Sequence, residues 1–354
     1  MVLTSRLSTT ISEIRPLDSR DKQCIAWLEQ VGYPAQGPLT PASRDASFRR
    51  YYRIPHGERS VILMDAPPPE EDAGRFVRLA RRFAQRGVRV PAVLAADETR
   101  GFAVLEDFGK TQYFQALNND NVDRLYGQAL EALFVLQCGV PGRDDPMARS
   151  LPDYDRALLL NEMSLFDEWL VAAHLGLKDA DRSVLYAAYG LLADVALEQP
   201  RVVVHRDFHS RNLMVLSEGG PGVLDFQDAV WGPVTYDLVS LLKDCYVAWP
   251  GDWVRAWALA YRARLAAAGL SGMEDETRFL RWFDFMGVQR HLKAAGIFAR
   301  LRHRDGRDEY LKDIPLTLGY VAEVCGRYPE LRALGAWLET YIQPRIPLRP
   351  PRGE

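Results

Sequence analysis

The stretch Val202–Val215 reads VVVHRDFHSRNLMV. Its first three residues, Val202-Val203-Val204, have the β-branched composition of a short buried strand. The strand stops at His205, and by Asn212 the chain has placed an Arg, an Asp, a second His and an Asn. Leu213-Met214-Val215 then resumes the apolar pattern. A glycine-containing interval leads into Gly222-Val223-Leu224-Asp225-Phe226, where a second short strand delivers another acid. A strand that is broken off, loaded with polar groups and resumed at once holds those groups at one end of a hairpin.

The order strand, His205-Arg206-Asp207, Asn212, strand, turn, strand, Asp225-Phe226 has the layout of a kinase catalytic loop followed by a metal-binding Asp. Phosphoryl transfer explains the spacing. It needs one carboxylate beside the attacking hydroxyl and separate oxygen ligands for Mg²⁺, a hard cation that takes few protein ligands. Asp207 suits the first role, and Asn212 with Asp225 suits the second. His205 is read as a packing and hydrogen-bonding residue of the loop, and His209 is left without a role. Asp237, early in a helix, is read as an acid at the positive dipole end.

Composition bounds the partners. The chain has 354 residues, 47% hydrophobic and 26% charged, with a net charge of −3. That balance argues against a general affinity for nucleic acid or anionic membrane and leaves room for a local basic pocket. Cys24, Cys138, Cys245 and Cys325 are scattered and form no zinc or redox motif. The N-terminal MVLTSRLSTTISEIRPLDSR lacks a signal-peptide core, and no apolar run reaches membrane-spanning length. A cytoplasmic protein with no implied protein partner is expected.

Texture changes near Leu105–Gly109. Before it, FRRYYRI and SVILMDA flank a PHGE turn, a helix is expected from near Glu70 to Gly87, and VPAVLAAD and GFAVLEDFG read as strands. After it, helices are expected over Val122–Cys138, Tyr154–His174, Asp181–Leu197, Pro233–Trp249, Trp253–Ala268, Glu274–Arg302 and Leu331–Ile342. The fold class is therefore α+β, with a small β-rich lobe over residues 1–108 and a large, mainly helical lobe over 109–354.

HRDFHSRNLM followed by GVLDFQDAVWGPVTYDLVSLLKD resembles the aminoglycoside phosphotransferase-like kinases, small-molecule kinases with a protein-kinase-like two-lobed fold. The resemblance runs from about Thr40 to Arg302. DASFRRYYRI, VILMDAPP and QRHLKAAGIFARL narrow it to the branch that phosphorylates the anomeric hydroxyl of N-acetylmuramate and N-acetylglucosamine in bacterial cell-wall recycling. The resemblance implies ATP and Mg²⁺ as cofactors and a small amino sugar as acceptor. It makes Asp207 the catalytic residue and Asn212 and Asp225 the metal ligands. It puts Leu105-Glu106-Asp107 at the hinge, where backbone groups contact adenine, and the glycine-free segment Ser43–Phe48 over the phosphates, with Ser43, Ser47 and Phe48 as contacts. The strand position that carries a phosphate-binding Lys in such kinases holds Met64. Arg49 or Arg50 is the substitute charge, Arg50 being the one assigned to the nucleotide. Glu70 and Glu71 are read as first-turn acids, outside any ion pair.

For the acceptor, Trp282, Met286, Gln289, Lys293 and Gly296 share one helical face by three- and four-residue spacing. Trp282, Gln289 and Lys293 are expected to line the sugar pocket, with Lys293 meeting a lactyl carboxylate and Gly296 allowing close approach. Asn161, Glu162 and Trp169 are secondary choices. The Arg-rich C-terminal stretch opposes a polycationic aminoglycoside acceptor. A choline-type kinase and a non-catalytic, pseudokinase-like binding module are the alternatives.

Overall fold

The β-formers on either side of the Pro55–Glu58 turn pair as their composition requires. Arg50–His56 (strand β2) and Arg59–Asp65 (β3) run antiparallel in continuous register from Arg50↔Asp65 to His56↔Arg59. The computed structural model describes residues 18–43 and 48–351. In it this hairpin belongs to a five-stranded antiparallel sheet, completed by Thr40–Ser43 (β1), Val93–Asp97 (β4) and Phe102–Glu106 (β5) in the order β1-β2-β3-β5-β4. Helix α1, Ser19–Gln30, was not expected. It offers few inward apolar residues, but Asp18 and Asp21 form a capping box, and Cys24, Trp27 and Leu28 join Ile54, Leu63 and Val104 in one core.

Helix α2 spans Ala73–Gln85 and starts later than the expected Glu70. The Asp72 carboxylate accepts from the Arg75 amide at 2.8 Å, so the cap lies beyond the glutamates. The chain divides into two units: the described residues up to Val77 with Val93–Asp107, and Arg78–Ala92 with Phe108 onward. Most of α2 and the segment after it therefore pack with the larger unit. The Phe83 ring stands edge-on to Phe226 at 5.7 Å, and the Arg89 carbonyl accepts from the Val223 amide at 2.8 Å.

The larger unit contains Val122–Cys138 (α3), Arg156–Leu165 (α4), Ser183–Leu197 (α5), Tyr236–Leu242 (α6), Gly251–Ala267 (α7), Glu276–Asp305 (α8), Ile314–Arg327 (α9) and Arg332–Tyr341 (α10). Two small antiparallel sheets interrupt it: Arg201–Val204 (β6) with Val230–Pro233 (β9), and Leu213–Met214 (β7) with Gly222–Val223 (β8). The expected helix Tyr154–His174 is two pieces, α4 and a π-helical segment Phe166–His174. The expected helix Pro233–Trp249 shrinks to α6. Its continuation is lost because Asp244 accepts amide hydrogen bonds from Ser210 at 2.9 Å and Tyr246 at 3.0 Å, which turn the chain away. Helix α9 was missed because a proline at its start and Thr317, Gly319 and Val321 give it little intrinsic propensity; burial against α8 forms it. Among the described residues no helix is long and apolar enough to cross a membrane.

Helix α8, 30 residues long, is buried on most of its circumference and packs against α4, the π-helical segment, α5, α6 and α9. Gly296 permits its closest approach: a Cβ there would overlap the Leu165 carbonyl carbon and oxygen and the Phe166 nitrogen. Gly127, on the exposed side of α3, has nothing within 4 Å of such a Cβ. The two glycines should respond oppositely to the same substitution. Gly296→Ala should lose about 1–3 kcal/mol by overpacking, whereas Gly127→Ala should gain about 0.5–1 kcal/mol of helix propensity. Thermal unfolding monitored by circular dichroism would show melting temperatures moving apart; a shift in the same direction for both would contradict this packing.

Candidate active site

Strand β6 ends at Val204, and the next two amides are clamped. The His205 and Arg206 N–H groups donate to the Asp237 carboxylate at 2.6 and 3.0 Å. Asp237 is fully buried at the start of α6, so its role is more specific than a favourable charge at a helix end. Burial pushes its carboxyl up to about 7 despite the two amide donors. Among the described residues, Arg206 and Asp225 are the non-glycine residues with left-handed backbone, at φ 79° and 63°. Both bracket the chemistry, as strained residues often do.

The reactive groups then come together. Asn212 donates from Nδ2 to the Asp207 carbonyl at 3.0 Å and to Asp225 Oδ2 at 3.4 Å. Its own carbonyl accepts from the Leu224 amide at 2.9 Å, which ties the loop to the strand carrying Asp225. Gln227, in the position that protein kinases give to glycine, donates to Asp225 Oδ1 at 2.8 Å. With Nδ2 spent on those bonds, Oδ1 is the ligand atom that Asn212 can offer, and with the neighbouring Asp225 carboxylate it makes a hard oxygen set that fits Mg²⁺. His205 Nδ1 accepts from the Asp207 amide at 3.2 Å. Burial lowers the imidazole to about 4, so it is neutral and structural.

The Asp207 side chain faces a pocket in the larger unit, lined also by His209, Tyr236, Tyr246, Arg290 and Lys293, with Ala294, Ile297 and Phe298 as apolar wall. Burial alone would raise the Asp207 carboxyl. Lys293, His209, Arg206 and Arg290 more than offset it and hold the group below the ordinary carboxylate value. Asp207 is therefore ionised at neutral pH.

Behind this pocket lies a buried carboxylate, Glu162. Lys293 Nζ meets it at 2.8 Å, Arg206 and the Tyr154 hydroxyl donate to it, and Gln289 Nε2 stands at 3.2 Å. Burial pushes Glu162 up, but Lys293 and Arg206 bring it down to about 2. Lys293 also donates to the Tyr236 hydroxyl at 2.9 Å. The ammonium expected to meet a substrate carboxylate thus already has an anionic partner.

The other residues expected on the acceptor side lie elsewhere. Gln289 is fully buried in the Glu162 network. Trp282 is buried, with Nε1 3.4 Å from Glu198, and is absent from the pocket wall. Gly296 approaches the Leu165 backbone. On α8 the pocket face is Arg290, Lys293, Ala294, Ile297 and Phe298, one residue around from the face read in the sequence. Arg290 had a signal that was overlooked: it sits in an apolar helix, with Met286, Gly287, Lys293 and Ala294 three and four residues away and no acid among them.

In the smaller unit, Leu105 and Glu106 end β5. The Asp107 side chain is held by Arg53 and Ser60, leaving recognition there to the backbone. Ser47 lies outside the described residues, as does the Ser43 side chain; Phe48 is exposed. Met64 is fully buried. Arg50 is engaged by Asp65 at 2.7 Å, Asp18 at 3.1 Å and Asp21 at 3.2 Å. Arg49 Nε lies 3.5 Å from Glu71, so Glu71 is a member of an ion pair after all.

Comparison with known proteins shows the family and the fold. Residues 38–283 match the model of the phosphotransferase enzyme family. A Pseudomonas putida protein named N-acetylmuramate/N-acetylglucosamine kinase is 46% identical over 330 residues, covering 90% of this chain and 95% of that one. A Neisseria meningitidis protein of the same name is 43% identical, covering 88% and 93%. Among solved structures, an ADP-bound aminoglycoside phosphotransferase is similar with a TM-score of 0.55 at 16% identity, covering 87% of this chain and 99% of that one. A Cryptosporidium parvum choline kinase has a TM-score of 0.59 at 9% identity, covering 90% and 99%. The fold is protein-kinase-like.

The Glu162 network should be essential to the loop. Glu162→Gln removes the carboxylate that Lys293 and Arg206 share and should destabilise the protein by about 3–5 kcal/mol, the usual result of orphaning buried charge. Urea unfolding measures this directly. An unchanged midpoint would mean that Arg206 and Lys293 are held by something else.

Proposed function

This chain belongs to the phosphotransferase enzyme family, and we propose that it transfers the terminal phosphoryl group of ATP to the anomeric C1 hydroxyl of N-acetylmuramate and N-acetylglucosamine, giving the sugar 1-phosphate. The observation that carries this reading is Asp207: an ionised carboxylate facing a pocket, with Asn212 bonded both to its carbonyl and to Asp225. In the productive complex the C1 hydroxyl donates to Asp207, which orients it and takes its proton as the bond to phosphorus forms. The ring and its N-acetyl group lie against Ile297 and Phe298. Asn212 and Asp225 hold Mg²⁺, which neutralises phosphate charge when bound. Backbone groups of Leu105–Asp107 take the adenine. Arg49 supplies the cation that Met64 does not.

The charge of the pocket favours this acceptor over those of the structural neighbours. Arg290 and Lys293 both line it. Lys293 is neutralised by Glu162, but Arg290 has no ion-paired carboxylate among the described residues and repels a polycationic aminoglycoside and a quaternary ammonium alike. It is compatible with an acceptor that carries a carboxylate. The setting is the cytoplasm, where ATP and sugars recovered from the cell wall are both present.

Two measurements test the chemistry. Asp207→Asn should keep nucleotide binding and lose about 10²–10⁴-fold in kcat, the range for a positioned acid–base group. Near-normal turnover in the folded variant would take Asp207 out of the chemistry, whereas a wild type that consumes no ATP with either sugar would be a binding module. The methyl glycoside of N-acetylglucosamine, with C1 blocked and C6 free, should be inert when ADP release is followed. If it is phosphorylated, the chemistry belongs to another hydroxyl. Turnover should also stop in excess chelator and return with Mg²⁺, whereas activity that persists would take Asn212 and Asp225 out of metal binding.

A further inference from the structure

Arg290 is a buried cation with few partners. Its residue is 6% exposed on α8, and it lines the pocket that Asp207 faces. Nη1 reaches only the Cys245 sulfur, at 3.6 Å, and Nε has no hydrogen-bond partner. No carboxylate forms an ion pair with it among the described residues. Asp244 and Asp207 act on it as charges, but neither carboxylate bonds to it, and both Asp244 oxygens are occupied by the amides of Ser210 and Tyr246. The contrast with its neighbour one turn away is sharp: Lys293 has Glu162 at 2.8 Å and Tyr236 at 2.9 Å.

Burying a guanidinium without a hydrogen-bonded anion is costly. A fold that accepts that cost inside a ligand pocket places the cation for an anion that arrives with the ligand. Guanidinium is also the side chain whose planar fork matches a carboxylate with two parallel N–H donors. We propose that Arg290 receives the lactyl carboxylate of N-acetylmuramate and is the residue that distinguishes this acid from neutral N-acetylglucosamine. The inference rests on the amino-sugar reading of the pocket and deepens it. The lactyl ether stands on C3, two carbons from C1, with the N-acetyl-bearing C2 between them. Asp207 and Arg290 line the same pocket, so one ring can present its C1 hydroxyl to the first and its C3 substituent to the second. N-acetylglucosamine carries only a hydroxyl at C3 and leaves the guanidinium without its anion.

A substrate–variant cycle tests this. N-acetylmuramate, its uncharged carboxamide and N-acetylglucosamine are compared as acceptors for wild type, Arg290→Gln, Arg290→Lys and Lys293→Met. In wild type the acid should exceed the amide in kcat/KM by about 10–100-fold, as loss of a charge-assisted contact implies. Arg290→Gln should erase the acid–amide difference. Arg290→Lys, which keeps the charge but not the fork, should retain part of it and serves if the Gln variant does not fold. Lys293→Met should leave the ratio in place even if overall turnover falls. The proposal is overturned if wild type does not separate acid from amide. It is overturned equally if the ratio survives in Arg290→Gln, or collapses in Lys293→Met instead. Failure of wild type to phosphorylate either sugar would be a different result: it would end the amino-sugar reading itself.

Discussion

The pairing of Arg206 with Glu162 is the constraint on which the site depends. Arg206 adopts a left-handed backbone, a conformation that costs a side-chain-bearing residue energy. It stays there because its amide is clamped by Asp237 and its guanidinium is anchored on a carboxylate buried in α4. The next residue is Asp207. The direction of the catalytic carboxylate is thus set by what holds its predecessor at both ends. Glu162 is held in turn by Tyr154, Gln289 and Lys293, so elements distant in sequence meet behind one loop.

Such a centre is not economical in stability. Buried ion pairs recover little more than their desolvation cost. What the arrangement supplies is position and charge state. Lys293 and Arg206 serve Glu162 and also keep the Asp207 carboxylate ionised, so structural and catalytic electrostatics share the same cations. The neutral His205 fits this scheme, since a further fixed positive charge beside Asp207 would weaken it as a proton acceptor.

The legible parts of the sequence were those in which neighbours along the chain are neighbours in space. The His205–Asn212 loop, the Leu213–Asp225 hairpin and the β2–β3 hairpin are local, and composition alone announced them. Helix α3 was legible to its last residue. What could not be read depends on partners far along the chain. Helix α9 forms through burial against α8, and α6 stops because Asp244 bonds to Ser210. On α8 the period was visible but its phase was not. In a helix buried nearly all round, apolar residues occur on every side, so the reading settled one residue from the true pocket face. Lys293 belongs to both faces, and Arg290 only to the true one. The ion pair of Arg49 with Glu71 was missed for a related reason, since the glutamate lies before its helix.

The π-helical segment Phe166–His174 follows directly on the helix that carries Glu162. Its wider turn, with Leu175 bonding back five residues to Leu170, accommodates more residues than an α-helix spends over the same rise. Residues before and after it are therefore out of phase with a single α-helical wheel. Relatives that lack the bulge would differ in length here by a residue while keeping both flanking faces against α8. An alignment that forces the two lengths to agree would shift every position downstream by a step. Homologous sequences are best matched with their gap placed inside this segment, which leaves the glutamate on one side and the packing residues on the other each in true correspondence.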